Sequence, residues 1–113
     1  DASMNETKYE LRILPLFETD LNEIVDYICN RLENPIAADA FVDAVREAIF
    51  TRLSYPKSVA PYPSTKKRKY PYYPINVKNY TIFYVVIDHV MEVRRILYSP
   101  RNLPAFLEPQ SEN

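Results

Sequence analysis

Tyr80-Thr81-Ile82-Phe83-Tyr84-Val85-Val86-Ile87-Asp88 is a strong strand whose two faces are both apolar. Alternation puts Thr81, Phe83, Val85 and Ile87 on one side and Tyr80, Ile82, Tyr84 and Val86 on the other. A strand of this kind belongs inside a sheet, with cover on both faces. Its neighbours in sequence supply the sheet. Lys78-Asn79 reads as a tight turn back to Tyr70–Val77, with Asn79 the residue expected to tolerate positive φ. Pro71 and Pro74 lack an N–H, so that segment suits an edge or an irregular strand start. On the other side, a turn at Asp88-His89 leads into a strand over Val90–Tyr98.

Cover for the sheet comes from upstream. Tyr9–Leu14 alternates as a short strand, closed by Pro15. From about Phe17 the period becomes helical: Phe17, Leu21, Ile24, Val25, Ile28 and Leu32 recur at three and four. Glu18, Asp20, Glu23 and Asp26 lie off that stripe, toward the end where the helix dipole favours acids. Asn34-Pro35 restarts a helix, asparagine capping free N–H groups and proline filling the first helical position. Ala37, Ala38, Phe41, Val45, Ala48, Ile49 and Leu53 carry it to about Tyr55. Residues 17–55 therefore predict an antiparallel helical hairpin with almost no loop. The fold class is α+β, in the order β-α-α-β-β-β, with the hairpin on one face of a small, curved, mainly antiparallel sheet. One domain is expected over residues 4–102. Asp1-Ala2-Ser3 ahead of Met4 reads as a cloning remnant, and residues 103–113 form a short C-terminal tail.

One hairpin covers one face only, and Leu103–Leu107, interrupted by Pro104, is too short to cover the other. The remaining, tyrosine-rich face is expected to be covered at least in part by a partner chain. The alternative is that its tyrosines tolerate exposure and the sheet curls over itself.

Composition narrows the chemistry. The 113 residues include no glycine, where average usage would give about eight. Phosphate-cradling loops, EF-hands and nucleophile elbows all depend on glycine. Cys29 and His89 stand alone, too few for a closed zinc site and without an internal disulfide. Cys29 borders an apolar stripe and reads as a small buried hydrophobe; His89 reads as an exposed turn residue. No metal and no cofactor is expected. No apolar run approaches membrane-spanning length and no signal peptide is visible, so a cytoplasmic protein is expected.

The net charge of −1 conceals a division: residues 1–50 hold 11 acids and 4 bases, and residues 51–113 hold 4 acids and 10 bases. Eight of the ten tyrosines lie in the second half. A basic, aromatic surface suits a nucleic acid or an acidic protein. Equally, it can be a solvated face balancing an acidic helical half. Lys67, Arg68 and Lys69, beside Tyr70, Tyr72 and Tyr73, form the densest part, and Tyr80, Tyr84 and Arg95 are further candidates for binding a target or a partner protein.

Four segments together resemble the RelE/ParE superfamily of bacterial type II toxin–antitoxin modules. Asp20-Leu21-Asn22-Glu23-Ile24-Val25-Asp26-Tyr27-Ile28 is similar to its "DL..I..YI" helix, and Asn34-Pro35-Ile36-Ala37-Ala38 to the "NPxAA" start of its second helix. Val77–Tyr84 is similar to its "VKNYxIFY" strand pair, and Arg95–Asn102 to its closing "R-[VI]-L-Y-G-R-R-N" segment, with Ser99 in place of glycine and Pro100 in place of the first arginine.

The resemblance implies a plasmid-stabilising or addiction-module toxin that inhibits growth when free and forms a hetero-oligomer with a cognate antitoxin. RelE-like members cleave mRNA in the ribosome without a metal; ParE-like members inhibit DNA gyrase. For RNA cleavage the matching residues are Arg101, after the last strand, and Tyr98, where some relatives carry histidine. Thr81 stands where ribonuclease members often carry arginine, Tyr72 and Pro74 where RelE has lysines, and Leu107 where its late tyrosine falls. With one cation matched, and a long hairpin of ParE type, gyrase inhibition is the favoured reading. RNA cleavage and a non-toxic binding module are the alternatives.

Overall fold

Proline opens both helices. In α1 (Pro15–Asp26) and α2 (Pro35–Leu53) a proline fills the first turn, where its missing N–H would have had no helical acceptor. The Asn34 side chain caps α2 by accepting from the Ala37 N–H at 3.0 Å, as the Asn-Pro pair predicts. The structure, a computed structural model, describes residues 8–63 and 68–99.

Between the helices the chain passes through a π-helical turn, Tyr27–Arg31, in which the Leu32 N–H reaches the Tyr27 carbonyl at 3.0 Å. Glu33 then adopts φ 52°, and the Asn34 N–H returns to the Ile28 carbonyl at 3.1 Å. That left-handed position at a helix end is normally glycine's. The hairpin reverses here with no more loop than this, as expected.

The described residues form a four-stranded sheet in the order β1-β4-β3-β2, from β1 (Glu10–Ile13), β2 (Tyr73–Val77), β3 (Tyr80–Ile87) and β4 (Val90–Tyr98). β1 runs parallel to β4, and the other pairs are antiparallel. The architecture is thus the expected α+β arrangement. Glutamate, lysine and aspartate do the work of the missing glycines: among the described residues positive φ falls on Glu33, Lys78 and Asp88. In the β2–β3 turn it is Lys78, and not Asn79, that takes the left-handed conformation.

The helices lie on the tyrosine face of β3. Phe17, Phe41, Val45 and Ile49 bury Ile82, Tyr84 and Val86 together with Met91, Val93 and Ile96. The expectation of a partner over this face is therefore corrected: the chain's own helices close it, and Tyr84 is 0% exposed. The opposite face, with Phe83, Val85 and Leu97, is covered in part by the segment between α2 and β2. Tyr62 donates its N–H to the Tyr72 carbonyl at 2.7 Å and sets its ring edge-on to Phe83 at 5.0 Å. Tyr72 meets the same ring at 6.1 Å. Prolines keep this segment out of regular structure, yet its aromatic side chains still reach the sheet.

α1 is also pinned to β4. β1 pairs with β4 only as far as Val93, so the β4 edge beyond it needs another acceptor. Asp20 supplies it, accepting the Ile96 N–H at 3.2 Å while receiving two bonds from Arg95 at 2.8 and 3.0 Å. The sequence pattern placed Asp20 among solvated acids; it is in fact 8% exposed and faces the sheet. Opposite Phe83 the β3–β4 register slips by one residue, so that Arg94 and Arg95 together stand against one step of β3. Among the described residues no helix is long and apolar enough to cross a membrane.

Candidate functional site

Two constellations of polar and aromatic side chains stand out. The first lies where β3 begins and β4 ends. The Tyr80 ring meets Phe41 edge-on at 5.2 Å on its helix side and Tyr98 at 5.6 Å on the other. Tyr98 is 43% exposed. Beside it runs a chain of short polar side chains: the Thr81 hydroxyl donates to Asn76 Oδ1 at 3.2 Å and lies 2.8 Å from the Ser99 hydroxyl. The Ser99 N–H reaches back to the Asn79 carbonyl at 2.8 Å. Thr81 is buried, so this chain supports the end of the sheet and offers no cation there.

The second constellation spans the sheet face away from the helices. Glu92, nearly buried, accepts from Arg12 at 2.9 Å and from Arg94 Nε at 2.9 Å. The Arg94 guanidinium lies 5.8 Å from the centre of the Tyr72 ring, and that of Arg68 lies 5.0 Å from the same ring. Lys69 sits 5.6 Å from the Tyr70 ring. Burial works against the charge on Arg94, yet hydrogen bonds with Tyr72 and Glu92 carry its pKa above the ordinary value. For Arg95 the hydrogen bond to Asp20 raises the pKa, with burial opposing. Both guanidinium groups stay fully charged at any physiological pH.

The residues expected to act are thereby sorted. Arg68 and Lys69 stand on the second constellation, and Tyr80 and Tyr98 on the first. Arg95 is engaged with Asp20, a structural ion pair between β4 and α1. Tyr84 is closed off as a contact: its hydroxyl donates to the Pro56 carbonyl at 2.6 Å and accepts from Arg52 at 2.9 Å, and burial raises its pKa. Lys67 and Arg101 lie outside the described residues, as do Pro100 and Leu107. The sequence reading missed Arg12 and Glu92. Their signal was a glutamate inside the otherwise apolar run Val90-Met91-Glu92-Val93, which needs a cation on a neighbouring strand.

Among the described residues no three His, Cys, Asp or Glu side chains gather closely enough to hold a metal ion. A groove of about 740 Å³ opens between the end of α2 and the start of β1, lined by Tyr9, Phe50, Leu53, Tyr55 and Pro56 with Lys8 and Lys57 beside them. Phe50 and Tyr55 are 56% and 67% exposed there.

Three comparisons bear on what this arrangement serves. Residues 11–103 match the family described as ParE toxin of type II toxin–antitoxin system, parDE. A solved structure, "Chromosomal ParDE TA system from P. aeruginosa", superposes with a TM-score of 0.68 at 17% identity, covering 82% of this chain and 98% of that one. At that identity the likeness establishes the fold. No curated protein matches the sequence.

Proposed function

The chain belongs to the family of ParE toxins of type II toxin–antitoxin systems, and from that premise we propose that it arrests growth by inhibiting DNA gyrase, held in check by a cognate antitoxin. One observation carries the choice of target. RNA cleavage by 2′-hydroxyl attack needs a base for that hydroxyl, a cation for the phosphorane and a donor for the leaving oxygen. The positions that bear cations in the RNA-cleaving relatives are here Tyr72, Pro74 and Thr81, and all three are committed to packing. Tyr72 lies against Phe83, the Pro74 carbonyl accepts from Arg52 at 3.0 Å, and Thr81 is bonded to Asn76 and Ser99. At these three positions, all among the described residues, no cation stands, and that supports action by binding over action by cleavage.

An antitoxin partner is supported by the family and by the groove at the end of α2. Its exposed Phe50 and Tyr55 are large aromatics of the kind that anchor protein interfaces. For the target, purified chain is added in parallel to a gyrase supercoiling assay and to a ribosome-dependent transcript cleavage assay. Loss of supercoiling with transcripts intact is the expected result. Transcript cleavage that disappears with Arg101→Ala would replace this reading with a ribonuclease.

A further inference from the structure

We propose that β1 is the seam of a symmetric dimer, in which two copies of this chain pair β1 with β1 antiparallel and join their sheets into one. This goes beyond gyrase inhibition and does not depend on it. The case begins with the two outer edges of the sheet, which differ. On β2, the Val77–Tyr80 pair closes the tight turn, so Val77, Ile75 and Tyr73 direct their backbone groups to β3 while Asn76 and Pro74 direct theirs outward. Pro74 has no N–H, and its carbonyl already accepts from Arg52 at 3.0 Å. That edge is closed to an incoming strand at all but Asn76.

β1 is open. The Glu10 N–H donates to the His89 carbonyl at 2.7 Å and the Leu14 N–H to the Val93 carbonyl at 3.0 Å, so the even-numbered positions face β4. Tyr9, Leu11 and Ile13 therefore turn both donor and acceptor outward, and no strand among the described residues lies on that side.

Charge decides the occupant. Tyr9, Leu11 and Ile13 pack on the helix side, which leaves Glu10 and Arg12 exposed on the other face. Three registers bring outward residues of two antiparallel β1 strands together. Leu11 against the partner's Ile13 sets Arg12 opposite the partner's Arg12, and Tyr9 against the partner's Leu11 sets Glu10 opposite the partner's Glu10. Leu11 against the partner's Leu11 instead sets Glu10 opposite the partner's Arg12, twice over. Charges on an edge strand ordinarily keep other strands away. Here they reject two registers and favour the third, which only a second copy of this chain completes.

Both ionic groups are available for it. Glu10 makes no ion pair among the described residues, and Arg12 keeps 54% of its side chain exposed while bonded to Glu92, with further N–H groups to give. On the helix side the same register lays Leu11 beside the partner's Leu11 and Tyr9 beside the partner's Ile13, extending the apolar layer across the seam.

The test is sedimentation velocity of the purified full chain from about 2 to 200 μM, the range suited to a small interface. The mass should rise with concentration from 13.3 kDa toward twice that value. Glu10→Lys, which sets a cation against the partner's Arg12, should weaken dimerisation about tenfold or more while thermal melting stays near wild type. Residues facing each other in a hydrogen-bonded pair stand about 5.5 Å apart at Cα, within disulfide reach. Leu11→Cys in a Cys29→Ser background should therefore form a disulfide-linked dimer under mild oxidation. The proposal is overturned by a mass of 13.3 kDa across the whole range, by unchanged dimerisation of the folded Glu10→Lys protein, or by a Leu11→Cys chain that dimerises without crosslinking.

Discussion

On the helix side of the sheet, Phe41, Val45 and Ile49 of α2 close over Ile82, Tyr84 and Val86 as a continuous apolar layer. On the other side Tyr62, Tyr70 and Tyr72 lie across Phe83 and Val85, and the width beyond them is spanned by Arg12, Glu92 and Arg94. Both sides bury β3, but by different means. The helical side gains from area removed from water and leaves its acids on the outer surface. The other side is closed by rings and ion pairs, with charge left facing solvent. The helical side should therefore dominate stability, and the other should tolerate change and carry contacts.

That contrast can be broken most severely at Phe41, which is 2% exposed beneath Tyr80. Phe41→Ala should cost about 3–5 kcal/mol, read as a shift in denaturant midpoint at constant slope. Asp20→Ala follows closely, since it strips the partner from Arg95 and the acceptor from the Ile96 N–H; about 3 kcal/mol or more is expected. Asp20→Asn, which keeps an acceptor, should lose less.

Tyr84→Phe removes one hydroxyl and leaves the Pro56 carbonyl and Arg52 short of a partner, for about 1–3 kcal/mol. It also carries a pH signature. Burial raises the Tyr84 pKa above the ordinary 10.0, so below pH 10 the phenol is neutral in both states and its stabilising contribution is complete. As pH rises past 10 the unfolded chain ionises first, and stability falls. Tyr84→Phe should show a shallower alkaline decline than wild type in urea titrations between pH 9 and 11.

Tyr62→Ala, on the looser side, should be mildest: its edge-on pairing with Phe83 contributes about 0.5–1.5 kcal/mol beyond area. A larger loss than for Phe41→Ala would invert the contrast between the two faces.

Much of the fold was legible because its signals are local. Asn34-Pro35 announces a helix start, the spacing of Phe41, Val45 and Ile49 gives its inner face, and the alternation through Tyr80–Ile87 gives the central strand. What stayed hidden depends on contacts distant in sequence. Asp20 has the pattern of a solvated acid until Arg95, 75 residues away, is brought to it. The tyrosines of the proline-rich segment offered no period from which their return to Phe83 could be read. Which residue of the Lys78-Asn79 turn takes positive φ is set by the turn geometry joining two strands, not by the intrinsic tolerance of asparagine. Of the side chains in the two constellations, Arg68, Lys69, Tyr80 and Tyr98 were singled out by composition and resemblance, while placing Arg12 beside Glu92 required the pairing of β1 with β4.

The central claim is that this chain stops growth through DNA topology. It is tested most directly by inducing the chain alone in a bacterial host and resolving the topoisomers of a reporter plasmid in the arrested cells. Growth arrest with loss of negative supercoiling and intact transcripts is the predicted result. Unimpeded growth, or arrest with normal supercoiling and cleaved transcripts, would contradict it.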